Sequence, residues 1–426
     1  MLLLASQIGH VTVVKVLLAQ GTDPEYQDYE GNTPLIYATG NGRISVVRYL
    51  YKQGHVNVNV ANHDKVTALM LASAMGHLSI VKYLVKCHAD VTPEDVDGNT
   101  ALTHAIIRGH HHIVEYLVEH GHADPNRANS RGTTPFILAA CANNLSAVQY
   151  LANRVEVNVI NKEGCSALIG ATIEGHPDIV QYLIKHTKAD PNLQSKEGRT
   201  ALIHAAAVGR LKILQYLIEE GHANPKIRDK SGMSLLIYAS CNGHLPTVEY
   251  LVQHKHASTD ERTNSHVTPL IIASFQGHLP VVQYLLTCSE TDVNAQDMNG
   301  ETALMMAALQ GKIDIVKYLV EQGHAHVDLQ SVDGVTALMV AAHKGYLEIV
   351  QYLVEEAGAD ISLCNHQGLS AIMLARLNVF HYLSDKTMER RHEYFEKKNP
   401  KTTIMRRMRR RTITGMSMKM RNLRLS

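Results

Sequence analysis

Histidine is concentrated in one stretch of the chain, HAIIRGHHHIVEYLVEHGH, which runs from His104 to His122 and holds six histidines in nineteen residues. Imidazole nitrogens are common zinc ligands and common general bases in catalysis. The stretch therefore raises two kinds of site, a metal centre and a catalytic centre. Which side chains converge depends on the elements that position them, and the rest of the chain indicates what those elements are.

The sequence around the histidines recurs along most of the chain. The tripeptide TAL, or a variant of it, begins at Thr33, Thr67, Thr100, Thr134, Ser166, Thr200, Ser234, Thr268, Thr302, Thr336 and Ser370. Successive starts are almost evenly spaced along the chain. In ten units, the Leu of a YL pair follows at the same offset, as Leu50 follows Thr33, so length varies only in the connector. A fixed block with a variable connector predicts two packed helices and a loop.

Within each block, apolar residues recur at helical spacing, as at Leu202, Ala205 and Ala206, and a glycine such as Gly209 divides the two helices. Another glycine stands two residues before the Thr or Ser in nine of eleven units. Lys65 and His266 replace it in the other two units, where we expect altered turns.

The order of turn, helix, glycine, second helix and a "GHADPN"-type connector resembles the ankyrin repeat, as in GNTPLIYATGNGRISVVRYL (31–50). The resemblance implies an all-α repeat solenoid of about twelve stacked helix-turn-helix units with β-hairpin or loop connectors, followed by a basic C-terminal tail. Where the family often has His, three residues after the Thr, this chain has residues such as Ile36, Met70 and Ile203, so apolar packing is expected there.

The expected domains are an ankyrin array over residues 1–385 and a basic tail over residues 386–426. The first repeat is expected to be truncated, because Met1 falls inside its first helix. The last repeat is expected to be shortened, since Ser370 lies four positions closer to its YL leucine, Leu383, than the other starts do. A helix is expected over residues 386–398, ending before Pro400.

Most of the histidines recur at fixed positions of the repeat, as His110 does after Gly109, which indicates a capping or hydrogen-bonding role. A metal centre needs three or four convergent ligands, and only His104, His111 and His112 remain as an alternative set. The eleven tyrosines that precede the YL leucines are interpreted as packing between second helices, with base stacking as the alternative. The sequence shows no catalytic motif, and we expect no metal, no cofactor and no enzymatic activity.

Composition places the chain in a reducing compartment. None of its six cysteines forms a C-x-x-C pair, several lie in apolar helical patterns, and no apolar run is long enough to span a membrane. We therefore expect an intracellular, cytoplasmic monomer. The net charge is unevenly distributed, because residues 386–426 carry +11 and the remainder of the chain carries −10. The basic tail adds the nucleus as an alternative location.

By the same resemblance, protein partners bind at the hairpin tips and along the concave face, on the exposed inner side of the first helices. The inner-helix positions lie seven and eight residues after each Thr or Ser. The residues expected to make contact are Met75, Ile107, Arg108, Ile173, Glu174, Phe275, Gln276 and Leu309. Several are apolar where solvent is expected, which favours an interaction surface.

The predicted function is thus a non-enzymatic scaffold or adaptor that binds a protein partner of unknown identity. The alternative is a regulatory or targeting module in which the repeats recruit a partner and the tail contacts nucleic acid or an anionic membrane. The tail residues expected to do so are Arg406, Arg407, Arg409, Arg410 and Arg411.

Overall fold

A computed structural model describes residues 1–398, with side chains to residue 391. Each repeat pairs a short inner helix with an outer helix. The inner helices are α1 (Leu2–Ile8), α3 (Pro34–Gly40), α5 (Ala68–Ala74), α7 (Ala101–Ile107), α9 (Pro135–Cys141), α11 (Ala167–Glu174), α13 (Ala201–Ala207), α15 (Leu235–Cys241), α17 (Pro269–Gln276), α19 (Ala303–Leu309), α21 (Ala337–Lys344) and α23 (Ala371–Leu374).

Most outer helices are longer, and they carry the YL pairs. They are α2 (Val11–Ala19), α4 (Ile44–Gly54), α6 (Leu78–Lys86), α8 (His111–Glu119), α10 (Leu145–Leu151), α12 (Pro177–His186), α14 (Leu211–Glu219), α16 (Leu245–Gln253), α18 (Leu279–Thr287), α20 (Ile313–Glu321), α22 (Leu347–Glu355) and α24 (Leu377–Lys398). Over the described chain, the connectors hold only two isolated bridges, Ala61 with Thr67 and Cys364 with Ser370. The predicted all-α repeat fold is confirmed.

The recurring Thr or Ser precedes each inner helix from α3 onward, and in most repeats its side chain caps the first turn. The hydroxyl of Ser166 accepts the N–H of Ile169 at 3.2 Å, and Thr268 accepts that of Ile271 at 3.2 Å. Such a cap satisfies one of the backbone donors that the first turn leaves without an intrahelical partner. The last repeat departs from this pattern, since Ser370 makes no side-chain cap.

Glycine ends several inner helices in the left-handed conformation, as the sequence predicts. Gly175 has φ +83° and Gly277 has φ +90°, and each backbone N–H bonds a carbonyl in the preceding turn. A Cβ at Gly175 would lie 2.6 Å from the guanidinium carbon of Arg210, so the next repeat also packs closely here. Both the conformation and the close approach favour glycine at this position.

The turns at Lys65 and His266 are not altered, contrary to expectation. Both residues adopt φ +61°, and their N–H groups bond Asn62 O and Thr263 O at 2.9 Å, as Gly98 bonds Asp95 at 3.0 Å. In the turn at Lys65, neighbouring residues stabilise the backbone, because the Asn62 side chain accepts the N–H of Val66 at 2.8 Å. These bonds hold a side chain in a region of φ that glycine usually fills.

The core runs between the inner and outer helices of each repeat. The leucines of the YL pairs, such as Leu50, Leu183 and Leu285, are fully buried. Apolar residues replace the family's histidine inside this core, as expected, with Ile36 and Ile203 also buried. The Thr at the start of the helix still has its cap without that histidine.

The described chain divides into two compact units. Unit 1 comprises Met1–Ala239 and Pro246–Ala257, and unit 2 comprises Ser240–Leu245 and the chain from Ser258 onward. In each unit, consecutive inner helices contact one another, for example α9 with α11 and α17 with α19.

The last repeat has a four-residue inner helix, which agrees with the shortening predicted from the sequence. Helix α24 continues through residue 385, the expected domain boundary, to Lys398. The five arginines of the predicted tail site lie outside the described residues. Within residues 1–398, no helix combines the length and the apolar character that crossing a membrane requires.

Candidate partner-binding surface

The predicted contact residues lie at the C-terminal ends of the inner helices, where their side chains are exposed or half-buried. Met75 and Ile107 are 52% and 41% exposed, which is high for large apolar side chains. Arg108 is exposed beside Ile107, and Glu174 is exposed beside the half-buried Ile173. These five residues belong to unit 1 and come from three inner-helix ends.

Unit 2 presents the corresponding positions from two neighbouring helices, α17 and α19. Gln276 is exposed, while Phe275 and Leu309 are half-buried. The Gln276 side-chain amide lies 3.7 Å from Cys241 Sγ. Burial raises the pKa of the Cys241 thiol, and the hydrogen bond from Gln276 opposes that rise. The apolar contact residues of unit 2 are thus less exposed than Met75 and Ile107 of unit 1.

Val208 was not among the predicted contact residues, although its side chain is 39% exposed. It lies eight residues after Thr200, the position that Met75 and Arg108 occupy in their own repeats. The repeat register is therefore the signal that identifies it. Its neighbour Ala207 is half-buried.

Donors from the following repeat fix these helix ends. Nε2 of His110 lies 3.1 Å from Ala74 O, and Nδ2 of Asn144 donates to Ile106 O at 2.9 Å. The Arg210 guanidinium donates to the carbonyls of Ile173 and Glu174 at 3.2 Å. The final carbonyls of a helix lack intrahelical partners, so the bonds from His110 and Arg210 satisfy such carbonyls, and all of these bonds join two repeats. The histidines that follow glycine therefore cap the preceding repeat rather than their own.

The remaining histidines of the opening stretch are dispersed. His104 Nε2 lies 2.8 Å from the Asp95 carboxylate within its own repeat, and His120 stacks on Tyr116 with ring centroids 4.6 Å apart. The rings of His111 and His112 contact each other, at 3.7 Å between centroids. Among the side chains that the structure describes, no three His, Cys, Asp or Glu residues are grouped to hold a metal ion.

Several of the recurring tyrosines, among them Tyr250 and Tyr352, join consecutive outer helices. The hydroxyl of Tyr250 donates to Glu219 at 2.9 Å, and that of Tyr352 donates to Glu321 at 3.0 Å. Burial and the hydrogen bond to Glu219 raise the pKa of Tyr250 to about 12. A cation often lies over the ring, as Lys317 does at 5.6 Å from the Tyr352 centroid. These contacts agree with packing between outer helices.

Comparison with known families identifies the repeats. The family model described as ankyrin repeats (three copies) matches residues 2–95, 87–161, 136–229, 221–297 and 289–365. The chain belongs to the ankyrin-repeat family. Ankyrin repeats are generally protein-interaction modules, so interaction with proteins is the general role that membership of the family gives this chain.

Similar curated proteins share parts of this array. The ankyrin repeat and KH domain-containing protein mask-1 of Caenorhabditis elegans is 30% identical over 45% of this chain and 6% of its own length. The palmitoyltransferase AKR1 of Lachancea kluyveri is 27% identical over 43% of this chain and 26% of its own. The NF-kappa-B inhibitor alpha of Rattus norvegicus is 36% identical over 20% of this chain and 28% of its own length. The chain therefore matches less than a third of each relative.

Proposed function

We propose that this chain is a non-enzymatic scaffold that binds a protein partner at the ends of its inner helices. The supporting observation is the exposure of Met75 and Ile107 at the ends of the neighbouring inner helices α5 and α7, with Val208 exposed at the corresponding end of α13. Exposed apolar side chains at adjoining positions mark interaction surfaces, whereas scattered ones do not. In unit 2, Phe275 and Leu309 supply the corresponding apolar contacts.

The hydrogen bonds from the following repeat, called clamps below, favour binding because they order the surface before a partner associates. The bonds from His110, Asn144 and Arg210 hold the backbone that carries the contact residues. A surface that is ordered before association loses less conformational entropy on binding. Binding energy is then expected to concentrate in a few apolar anchors, of which Ile107 and Met75 are the most exposed. Arg108 and Glu174 add exposed charges of opposite sign beside Ile107 and Ile173.

We extend the proposal to the absence of catalysis, to a monomeric state and to a cytoplasmic location. AKR1 carries an enzymatic name, but the similarity covers only 26% of that protein. All six cysteines are free thiols in the structure, which fits a reducing compartment. The alternative role, in which the tail also contacts nucleic acid or an anionic membrane, is supported by the net charge of +11 over residues 386–426.

The test of partner binding is affinity capture by the full chain, compared among variants of equal charge change. Met75→Glu and Ile107→Glu alter the surface, while Ser79→Glu and Gln149→Glu alter exposed outer-helix residues. Loss of a hot-spot contact is expected to lower the affinity for a captured partner by at least about tenfold, which corresponds to about 1.4 kcal/mol. The proposal fails if the surface and outer-helix variants capture every partner equally.

The tail alternative is tested in the full chain by changing the five arginines from Arg406 to Arg411 to Gln. Binding to DNA, RNA and anionic vesicles is measured at several salt concentrations, because phosphate contacts weaken as salt rises. Weaker binding by the variant, with a smaller dependence on salt, would support the alternative. Equal binding by the two proteins at every concentration would remove it.

A further inference from the structure

Helix α11 contains a glycine where every other repeat from the second onward has a larger side chain. Gly170 lies four residues after Ser166, and the equivalent residues of the other ten repeats are Val or larger. Leu71 shows what such a side chain does, because a Cβ at Gly40 of the preceding repeat would lie 2.7 Å from its Cδ2. The position normally fills the space against the end of the preceding inner helix.

Two cysteine side chains occupy the space above Gly170. A Cβ at Gly170 would overlap Cys141 Sγ and would lie 3.3 Å from Cys165 Sγ. Cys141 is the last residue of α9, and Cys165 directly precedes the Ser166 cap of α11. The missing side chain thus brings together two thiols from neighbouring repeats, 24 positions apart in the sequence. Both are half-buried, so small reagents can reach them.

We infer that Cys141 and Cys165 form a redox-active dithiol site, which a hydroperoxide oxidises to a reversible disulfide between the two repeats. The inference goes beyond the proposed function, because it requires no protein partner. Intracellular disulfides are typically transient and redox-sensing, which is the class of chemistry expected for such a pair.

The hydrogen bonding of the pair assigns a different role to each sulfur. The Cys165 thiol donates to the carbonyl of Ser166 at 3.3 Å, and its sulfur lies beside the Cys141 sulfur above Gly170. Donation to Cys141 lowers the pKa of that thiol, while the same bond and burial raise the pKa of Cys165. The group with the lower pKa is the thiolate that attacks first. Cys141 is therefore the nucleophile and Cys165 the resolving thiol.

The chemistry balances with a hydroperoxide as the oxidant. The Cys141 thiolate attacks the terminal oxygen, so an S–O bond forms, the O–O bond breaks and the leaving oxygen takes the Cys141 proton as water or alcohol. Cys165 sulfur then attacks the Cys141 sulfenic sulfur. The S–S bond forms, the S–O bond breaks, and the hydroxyl leaves as water with the Cys165 proton. Two thiols lose two electrons, and the peroxide gains them.

The repeats supply a matched control. Cys241 ends α15 at the position that Cys141 holds in α9, but Val267 and Ile272 stand where the other site has Cys165 and Gly170. Cys241 therefore has no second thiol at the equivalent place. Removing it should leave dithiol chemistry unchanged, whereas removing Cys141 should abolish it.

The test oxidises the reduced full chain with one equivalent of hydrogen peroxide, at a concentration where the protein is monomeric. Titratable thiols are expected to fall from six to four and to return after dithiothreitol treatment. Trypsin cuts at Arg154 and Lys162 between the two cysteines, so a linked peptide identifies the bond. The linked peptide is expected in Cys241→Ser but not in Cys141→Ser or Cys165→Ser.

Gly170→Ala provides the geometric test, because its methyl group would occupy the position of the Cys141 sulfur. We expect this variant to lose most of the linked peptide while its circular dichroism spectrum is retained. The inference is overturned if the wild-type chain keeps six thiols, or if it oxidises at Cys141 and Cys165 without a linked peptide. It is also overturned if Gly170→Ala folds and forms the bond as the wild type does.

Discussion

Cys141 of unit 1 and Cys241 of unit 2 hold the same position in two different repeats. Each ends an inner helix, and a histidine of the next repeat contacts its carbonyl oxygen. His176 Nε2 lies 3.0 Å from Cys141 O, and His278 Nε2 lies 2.9 Å from Cys241 O. The backbone scaffold around the two thiols is therefore closely alike.

The surroundings of the two sulfurs differ because the following repeats differ. Cys141 meets Cys165 above Gly170, and the pKa of Cys141 is lowered by the bond to that thiol. Cys241 has the Gln276 amide nearby, and burial raises its pKa. Residues shared by the repeats thus build the scaffold. Residues that depart from the pattern change the chemistry at one position without altering the backbone.

The largest expected effect is a loss of stability when a buried leucine of the shared scaffold is replaced. The loss should be equal in the repeat that follows Cys141 and in the repeat that follows Cys241. Leu183 of α12 and Leu285 of α18 are fully buried YL leucines. Replacing either with Ala should cost about 3–4 kcal/mol of unfolding free energy, because a cavity replaces buried methyl groups. Urea unfolding followed by circular dichroism measures the loss. A difference of more than about 1.5 kcal/mol between the two variants would contradict a common scaffold.

The next largest effect is expected when the two residues that surround Cys141, a cysteine and a glycine, are introduced beside Cys241. Val267→Cys with Ile272→Gly gives Cys241 the neighbours that Cys141 has. The double substitution should lower the free energy of unfolding by about 2–3 kcal/mol, because it removes the half-buried Ile272 side chain and places glycine within a helix. In return, a second peroxide-dependent linked peptide, between residues 241 and 267, is expected in the peptide map. Its absence from a folded variant would show that the glycine and second thiol are not sufficient.

The scaffold was largely predictable from the sequence because it is repeated. Eleven occurrences of the TAL pattern set the register, and the recurring Thr, Gly and Leu each have a local physical role. The turns at Lys65 and His266 were predicted less well, because the sequence shows the missing glycine but not the bonds that hold the turn. Neighbouring backbone and side-chain acceptors decide that outcome.

The histidine clamps predict a smaller, matched effect. His176→Ala and His278→Ala each remove one hydrogen bond between repeats, which is worth about 1 kcal/mol of unfolding free energy. Gln at either position retains a donor and should lose less. Urea unfolding of the four variants measures these differences. Equal stability of the Ala and wild-type proteins would contradict the clamping role.

The two thiols are also expected to differ in their pH dependence. A thiol with a lowered pKa becomes thiolate at lower pH, so alkylation of Cys141 by iodoacetamide should rise at a lower pH than alkylation of Cys241. Peptide mass spectrometry across a pH series measures both curves in one sample. Cys165→Ala should move only the Cys141 curve to higher pH. Coincident curves in the wild type would contradict the assigned hydrogen bond.

The exposure of the inner-helix ends was predictable from the repeat pattern, although not for every residue. The repeat register placed Met75 and Ile107 at exposed helix ends, and the same register could have identified Val208. The clamps and the thiol pair could not be read from the sequence, because each joins residues of different repeats. Their partners lie between 24 and 38 positions apart, and only packing of one inner helix on the next brings them together.

The most direct test of the proposed binding surface introduces a photo-crosslinking amino acid at single positions of the full chain. Met75 and Ile107 report on the inner-helix ends of unit 1, and the exposed Ser79 and Gln149 report on outer helices of the same unit. We predict that one protein partner is crosslinked from the inner-helix positions and not from the outer ones. Crosslinking of that partner only from Ser79 or Gln149 would contradict the proposed surface.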